Sequence, residues 1–486
     1  PAADHNPVAQ RVDRVRGGEP MTGAITSDAT AALRAHLGAD FAGATFGPED
    51  EGYDSVRTVW NATVDTRPAL LARCSSAADV AAAIRAAREV GVPLSVRGGG
   101  HQVAGLSLCD GLVVDLGGMR GGVADPARRR ARVGGGSLLG DVDRLTQRYG
   151  LMTPAGVISH TGLGGLTLGG GVGWTHRHFG LTCDNVVGAD LVTADGRLLR
   201  VNEHEHPELL WALRGGGGNF GVVTTFELAL HEVSQLLAGQ AVFPLSGLER
   251  AVAHYTEFMA DAPDEVTAVL VLRGSPPPGM AVPAELADGP IVMINAAWSG
   301  PLERGEPVVR RLIEGAGPAF SRVVVRDYLE QQTMQDDKNP HGLRNYLKSR
   351  YLTRVDEGAV EVLRAAARSQ PGDFSQIELL QLGGAVARVA EDATAFSGRH
   401  HPYILNAVAT WTDPVEDPTY IAWARATYSA LDPVGSDSGY LNFLGEEQDR
   451  AKAVFAGPSY DRLRRIKASV DPDNVFRTNI SIPPAT

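Results

Sequence analysis

Cysteine is scarce in this chain: three in 486 residues, Cys74, Cys109 and Cys183, with no Cys-x-x-Cys pair. That excludes a disulfide framework and a cysteine-built zinc site as organising devices. Long hydrophobic runs are missing too. No apolar stretch approaches the ~18 residues a membrane span needs. The polar stretch Pro1 to Pro20 has no signal-peptide core, and Met21 offers an alternative start. Positive charge is in deficit, with 45 Lys and Arg against 57 Asp and Glu and a formal net charge of -12. With no basic block either, nucleic acid and anionic membrane are excluded as main partners. No Walker A sequence occurs, so ATP chemistry has no support. Charged residues at 21% and hydrophobic ones at 43% describe a soluble globular chain. Its default location is cytoplasmic and its expected state a monomer or homodimer.

Glycine is in excess, 57 of 486 residues, against roughly 7% in average usage. The excess sits in short clusters bounded by apolar residues, which implies tight loops rather than linkers. The length predicts two or three domains. A helix is expected from Ser27 to Ala42, capped by Ser27 or Asp28. Ala69 to Cys74 reads as a strand. Ser75–Asp79 then caps an alanine-rich helix with Val80, Ala83, Ile84 and Ala87 on its apolar face. The strand Val92–Arg97 delivers Gly98-Gly99-Gly100-His101-Gln102. Three glycines allow close backbone approach and positive φ, and successive N–H groups in such a turn suit a phosphate. Alone, the heptapeptide fits equally a glycine turn with a histidine on its surface.

A second cluster places eight glycines between Gly156 and Gly173, and at ~1 kcal/mol per glycine relative to alanine this predicts loop rather than helix. Val186–Thr193 and a return strand through Val201 form a hairpin about Ala194-Asp195-Gly196-Arg197. Gly216, Gly218 and Gly221 match G-x-G-x-x-G, but a helix precedes and a strand follows, the reverse of a dinucleotide fingerprint. A nicotinamide dehydrogenase is therefore rejected. Three separate glycine loops, at 98–100, 162–173 and 215–221, suit a long extended cofactor gripped from several sides. From about residue 235 the clusters thin, and strands at 267–273, 290–298, 322–326, 375–382 and 404–411 alternate with helices at 246–260, 306–315, 356–370 and 417–430. This predicts an α+β domain on an antiparallel sheet. A last helix is expected from Ser459 to Phe476, with a turn at Asp471-Pro472-Asp473-Asn474.

Arg97–His101, the Ser159-His160-Thr161-Gly162-Leu163-Gly164-Gly165-Leu166 run, Val192–Gly196, Arg214–Gly221 and the ending Tyr460 to Phe476 occur in order. They resemble the FAD-linked oxidases of the vanillyl-alcohol oxidase/PCMH superfamily, in its berberine-bridge-enzyme-like branch, which includes 6-hydroxy-D-nicotine oxidase. The resemblance runs from about residue 50 to 484. It implies an α+β chain in which a PCMH-type two-subdomain FAD-binding domain (26–233) is followed by a substrate domain (234–440), with a segment (441–486) returning to the FAD domain. Residues 1–25 are read as a disordered or non-native tail.

The same resemblance implies FAD bound covalently through His101. The second tether of some relatives has no counterpart, because Ile158 holds that position; Cys183 is read as a core thiol. Cofactor contacts are assigned to Arg97, Gly98, Gly99, Gly100, Gln102, Gly156, Ser159, His160, Thr161, Gly164, Gly165, Leu166, Gly170, Gly171, Gly221, Val222, Asn442 and Asn474. The resemblance also implies an oxygen site beside the flavin, opened in one member of the branch by small residues corresponding here to Thr161 and Leu166.

Glu378, a carboxylate within the apolar run Ile377–Leu380, is the expected general base, unless it faces solvent on an edge strand. Tyr440 and Asn442 are placed on one face of a final strand, Tyr440 as a second catalytic group or a buried aromatic. Tyr346 and Tyr351, near Lys348 and Arg350, are assigned to the substrate pocket. His176/His178, His204/His206 and His400/His401 are read as surface histidines and no metal is expected. The expected activity is hydride abstraction from a small organic substrate to FAD, with O2 as acceptor and H2O2 as product. The alternatives are a flavin-N5-oxide oxygenase acting on an enolisable polyketide-like compound of secondary metabolism, and a flavin-binding protein without turnover.

Overall fold

Alternation of side chains in the second half of the chain builds a seven-stranded, wholly antiparallel sheet. The computed structural model describes residues 23–277, 279–445, 451–455 and 457–486. Across the sheet the strands run Phe320–Asp327, Gln235–Pro244, Ile291–Trp298, Val266–Arg273, Gln376–Gln381, Tyr403–Trp411 and Arg344–Leu352. Ala268, Leu270 and Leu272 point to one face, where they join residues of the helices Leu248–Ala260, Leu302–Glu314, Glu357–Arg368 and Asp417–Ala430 in the main core. Directly paired residues share a face. The row Val271, Glu378, Asn406 and Ser349 therefore lies on the opposite side, away from those helices.

The first half of the chain forms two smaller sheets. In one, Leu70–Arg73 and Leu94–Arg97 flank Leu112–Asp115 in parallel, with Ala44–Phe46 antiparallel at the edge. The connecting helix, Ala77–Val90, begins where Ser76 accepts a hydrogen bond from the Asp79 amide, as the sequence predicts. The other sheet has five antiparallel strands: Gly122–Asp125, Arg130–Gly134, Val222–Ala229, Val186–Val192 and Leu198–Asn202. The C-terminal segment stitches these parts together. Thr478 Oγ1 donates to the Leu94 carbonyl, and Asn479 Nδ2 donates to the Gly218 carbonyl. Buried Lys467 pairs with Asp471 at 2.5 Å and donates to the carbonyls of Asn219 and Phe476.

Several local expectations change. The first helix runs Gly23–Leu37, so Ser27 and Asp28 lie inside it rather than capping it. Of the expected tail, residues 1–22, Met21 among them, lie outside the described residues. Within the second glycine cluster Leu163–Leu168 is a short helix; leucines Leu163 and Leu168 are buried in the core, and that packing offsets the glycine propensity. Gly439–Phe443 is not a strand: Leu441–Phe443 is a single 3₁₀ turn. The last helix stops at Val470, having begun at Pro458. Strand Arg344–Leu352 was hidden by its charges, because Arg344, Lys348 and Arg350 cross the sheet on the side of helix Asp417–Ala430 and find partners there.

Candidate active site

The glycine loops meet backbone to backbone. A Cβ on Gly99 would strike the Gly162 amide nitrogen, and one on Gly164 would lie 2.8 Å from the Gly135 carbonyl. Gly165, in contrast, is exposed with no heavy atom within 4 Å of an added Cβ, and half-buried Leu166 adjoins it. The first two loops thus close on each other at Gly99 and Gly162 and leave an opening beside Gly165. Gly156 is held close to Leu166, whose Cδ1 would be 2.6 Å from a Cβ there. Gly221, at φ +147°, lets Val222 enter the five-stranded sheet against Val192. Gly170 and Gly171 turn at φ +132° and +91° over Phe396, Tyr440 and Thr182.

Three imidazoles gather at this opening. His101 Nε2 and His160 Nδ1 lie 3.2 Å apart, and the His341 ring centre is 5.1 Å from that of His160. The Trp60 indole stacks on His101 at 4.4 Å between ring centres. Burial pushes the His101 imidazole down to about 3, and the His160 and His341 rings add to the effect. A neutral ring with an available lone pair results. His160 is lowered too, by burial. Its Nε2 is buried without a hydrogen-bond partner among the described residues.

Residues 328–343 form a strap over the cleft that sequence reasoning missed. Gln332 Nε2 donates to the Gly156 carbonyl at 3.0 Å and lies 3.3 Å from Asp143 Oδ2. Asp336 accepts from both the amide and the hydroxyl of Ser159, at 2.8 and 2.6 Å. The Asn339 carbonyl accepts from Trp60 Nε1, and His341 stands by His160. No local pattern announces these roles, since every one of these partners is distant in the sequence.

Glu378 faces the same side as Asn406, which donates to its Oε2 at 3.0 Å; Gln376 Nε2 donates to Oε1 at 2.7 Å. Burial raises its pKa from the ordinary glutamate value, against those two donors and the Arg273 charge. Its strand is third from the sheet edge, and the residue is half-buried, so the edge-strand alternative does not hold.

Other assignments are redistributed. The Arg97 side chain is engaged within the protein: it pairs with buried Asp115 at 2.7 Å and donates to the Val56 carbonyl. Gln102 spans from the Leu106 amide to the Leu444 carbonyl. Tyr440 is buried, and its hydroxyl accepts from the Gly171 amide at 2.7 Å and from Asn442 Nδ2 at 2.8 Å, while burial pushes its pKa up. Those contacts brace the second glycine cluster. Asn442 also donates to the Leu166 carbonyl. Asn474 occupies φ +52° and its Oδ1 is buried without a partner among the described residues.

Tyr346 pairs with Ala409 and so lies on the helix side of the sheet, receiving a hydrogen bond from Arg425 Nε; it cannot line a pocket beside Glu378. Lys348 and Arg350 share that side, Arg350 bound to Asp432. Tyr351 is on the Glu378 side but packed between Leu382, Phe396 and Tyr440, its hydroxyl donating to the Ser397 carbonyl.

His176 is not a surface residue. It is buried and contacts the carbonyls of Gly173 and Gln381, while the neighbouring Arg177 binds the Gln381 side chain and the Leu382 carbonyl, locking the second glycine cluster to the sheet. His178 and His401 are half-buried, whereas His204, His206 and His400 are exposed. No metal-binding group of three or more His, Cys, Asp or Glu occurs among the described residues. Cys183 is fully buried, and burial raises its pKa, as fits a core thiol.

Residues 68–202 match the FAD binding domain family and residues 439–483 the berberine and berberine-like family. The (R)-6-hydroxynicotine oxidase of Paenarthrobacter nicotinovorans is 32% identical over 454 residues, covering 90% of this chain and 96% of that protein. The chain belongs to the berberine-bridge-enzyme-like FAD-linked oxidoreductases. An FAD-dependent monooxygenase of Fusarium proliferatum is 37% identical over 467 residues, covering 84% of this chain and 83% of that protein. The crystal structure of 6-hydroxy-D-nicotine oxidase from Arthrobacter nicotinovorans superposes with a TM-score of 0.82 at 30% identity, covering 92% of this chain and 99% of that one. The chain is thus an FAD-dependent oxidoreductase with the α+β architecture of that family. The opening suits FAD, since a Cβ added at exposed Gly165 meets no protein atom within 4 Å and a glycine backbone lets a ligand approach closely.

Proposed function

We propose that this protein is an oxidase with FAD covalently attached to His101, oxidising a small organic molecule with O2 as electron acceptor. Bound FAD supplies the hydride acceptor and passes the electrons to oxygen, giving H2O2. The observation that carries the catalytic part is Glu378: a half-buried carboxylate on the cleft-facing side of the central sheet, its pKa raised by burial. Asn406 and Gln376 hold both of its oxygens, so its orientation is set before substrate arrives. In this role it takes the proton that leaves the substrate during oxidation, and a base poised above the ordinary carboxylate range does this well near neutrality. His101 supports single attachment: it is neutral, beside the glycine loops, and the alternative position is Ile158. Thr161 and Leu166, half-buried by the opening, are the proposed oxygen side.

A second reading, an oxygenase that inserts oxygen into an enolisable substrate, draws on the 37% identity to the Fusarium monooxygenase. Substrate-dependent H2O2, measured across a panel of alcohols, amines, sugars and enolisable ketones, separates the two. Stoichiometric peroxide supports the oxidase, and product formation with little peroxide overturns it in favour of the oxygenase.

A further inference from the structure

Two amides hold the Glu378 carboxylate, and they are not equivalent. Asn406 donates from Nδ2 to Oε2 at 3.0 Å, but its own Oδ1 is buried without a partner among the described residues. Nothing beyond Glu378 therefore decides which end of that amide meets the carboxylate. Gln376 is different. Its Nε2 donates to Glu378 Oε1 at 2.7 Å, and its Oε1 accepts from Arg273 Nη1, also at 2.7 Å. A guanidinium only donates and an ionised carboxylate only accepts. With Arg273 at one end, only the orientation that aims the Gln376 NH2 group at Glu378 satisfies both contacts.

Arg273 closes the strand Val266–Arg273, two residues beyond Val271, which stands opposite Glu378 across the sheet. Side chains two apart share a face, so Arg273 is on the side of Glu378. It is buried, at 6% exposure. A buried guanidinium is costly unless an anion compensates it. Yet Arg273 has no ion pair among the described residues, and its Nε lacks any partner. Its Nη2 donates to the Asp373 carbonyl at 2.6 Å, while the Asp373 carboxyl accepts from Ser275 Oγ. Burial lowers the Arg273 pKa, and the Glu378 charge opposes this most, followed by that of Asp373. The other cation nearby is Lys338 of the strap, whose pKa burial, Arg273 and Arg326 all lower. For Glu378, burial raises the pKa, while the Asn406 contact, the Arg273 charge and the Gln376 contact oppose it. The anion that compensates Arg273 is thus Glu378, reached across one amide.

We propose that Arg273 is a positioning residue for the base: it fixes the Gln376 amide, and through that amide holds Oε1 of Glu378 and favours the ionised carboxylate that accepts the substrate's proton. The proposal rests on the reading of Glu378 as the base and adds a device on the neighbouring strand that makes it competent. A structural pin between the two strands would use the same contacts, and the test separates the two.

Infrared difference spectroscopy of the purified full-length flavoprotein, titrated without substrate, follows the stretch of the protonated carboxyl; the band missing from Glu378→Gln identifies the group. In Arg273→Met its midpoint should rise by about one pH unit, the low end of what an opposite charge supplies. Gln376→Met should raise it similarly, and the double variant by clearly less than the sum, because the two act through one contact. Arg273→Lys, which keeps a cationic donor, should recover most of the shift. A pin would lower stability and leave the midpoint in place. An unmoved midpoint in folded Arg273→Met, or shifts that simply add, overturns the relay. Gln376→Met, which leaves the contact of Arg273 with Asp373, decides where Arg273→Met fails to fold, and an unmoved midpoint there overturns the relay as well. Full turnover in Glu378→Gln would sink the base reading, whereas an unmoved midpoint with turnover lost in Glu378→Gln sinks the relay alone.

Discussion

His101 and His160 stand with Nε2 and Nδ1 3.2 Å apart, and Trp60 covers the other face of the His101 ring. Which nitrogen of a neutral imidazole carries its proton is decided by the hydrogen bond the other nitrogen makes. This contact therefore ties the tautomer of His101 to that of His160, one facing nitrogen donating and the other accepting. Replacing His160 by phenylalanine keeps a ring in place but removes that tie. His160→Phe should fold normally and incorporate FAD covalently several-fold more slowly than the parent when apoprotein is incubated with FAD. In-gel flavin fluorescence after denaturation reads the rate, and equal rates would show that His160 plays no part.

Glu378→Gln keeps the side chain's shape and one of the two contacts, with Asn406 or Gln376, but cannot accept a proton. Turnover should fall by roughly 10²- to 10⁴-fold, the usual share of a positioned base. The sign of the pH dependence follows from the raised pKa. The base works only when ionised, so the parent's kcat should fall as pH drops, at a pH above that at which an ordinary glutamate titrates. The variant's residual rate should show no such limb. A limb that persists unchanged in the glutamine variant assigns the base elsewhere.

Asp143 tests the strap. It is fully buried, its Oδ1 lacks a partner among the described residues, and burial pushes its pKa up to about 7. Between the usual aspartate value and that figure the folded protein keeps a proton that the unfolded chain releases. Stability is greatest at the acid end of that window and is lost as pH rises through it. Asp143→Asn removes the titrating group and should raise stability at pH 8 by up to about 4 kcal/mol, since the folded state loses ~1.4 kcal/mol for each pH unit across that window. At pH 4 the gain should vanish. Thermal unfolding at both values measures this, and an equal effect at both would mean that the carboxyl is already ionised in the fold.

Tyr440→Phe separates a brace from a base. Loss of the hydroxyl leaves the buried Gly171 amide without its acceptor, at a cost of about 1–3 kcal/mol. Unfolding should shift by that amount, whereas the pH profile of kcat should keep its shape. A profile that changes with stability intact would restore Tyr440 to the chemistry.

The glycine loops, His101, Glu378 and the antiparallel sheet were legible because each is a local signal: a cluster, a nucleophile beside it, an alternating run. Tyr346 was misplaced because side chains alternate faces at every residue, so a one-residue uncertainty in register exchanges cleft for helix layer. Ser349 and Leu347, not Tyr346, lie on the side of Glu378. Arg97 was assigned to the cofactor through the family resemblance; the partner that holds its side chain, Asp115, comes from the adjacent parallel strand and has no mark in the sequence. The strap escaped for the same reason, since Gln332, Asp336 and His341 acquire their meaning only from Gly156, Ser159 and His160.

Covalent attachment at one histidine is the central claim, and an absorption spectrum after acid precipitation tests it most directly. The parent protein should carry its yellow colour into the pellet, and His101→Ala, which keeps the glycine loops, should bind FAD more weakly and release it all to the supernatant. Colour in the supernatant of the parent, or colour in the pellet of His101→Ala, would contradict the account.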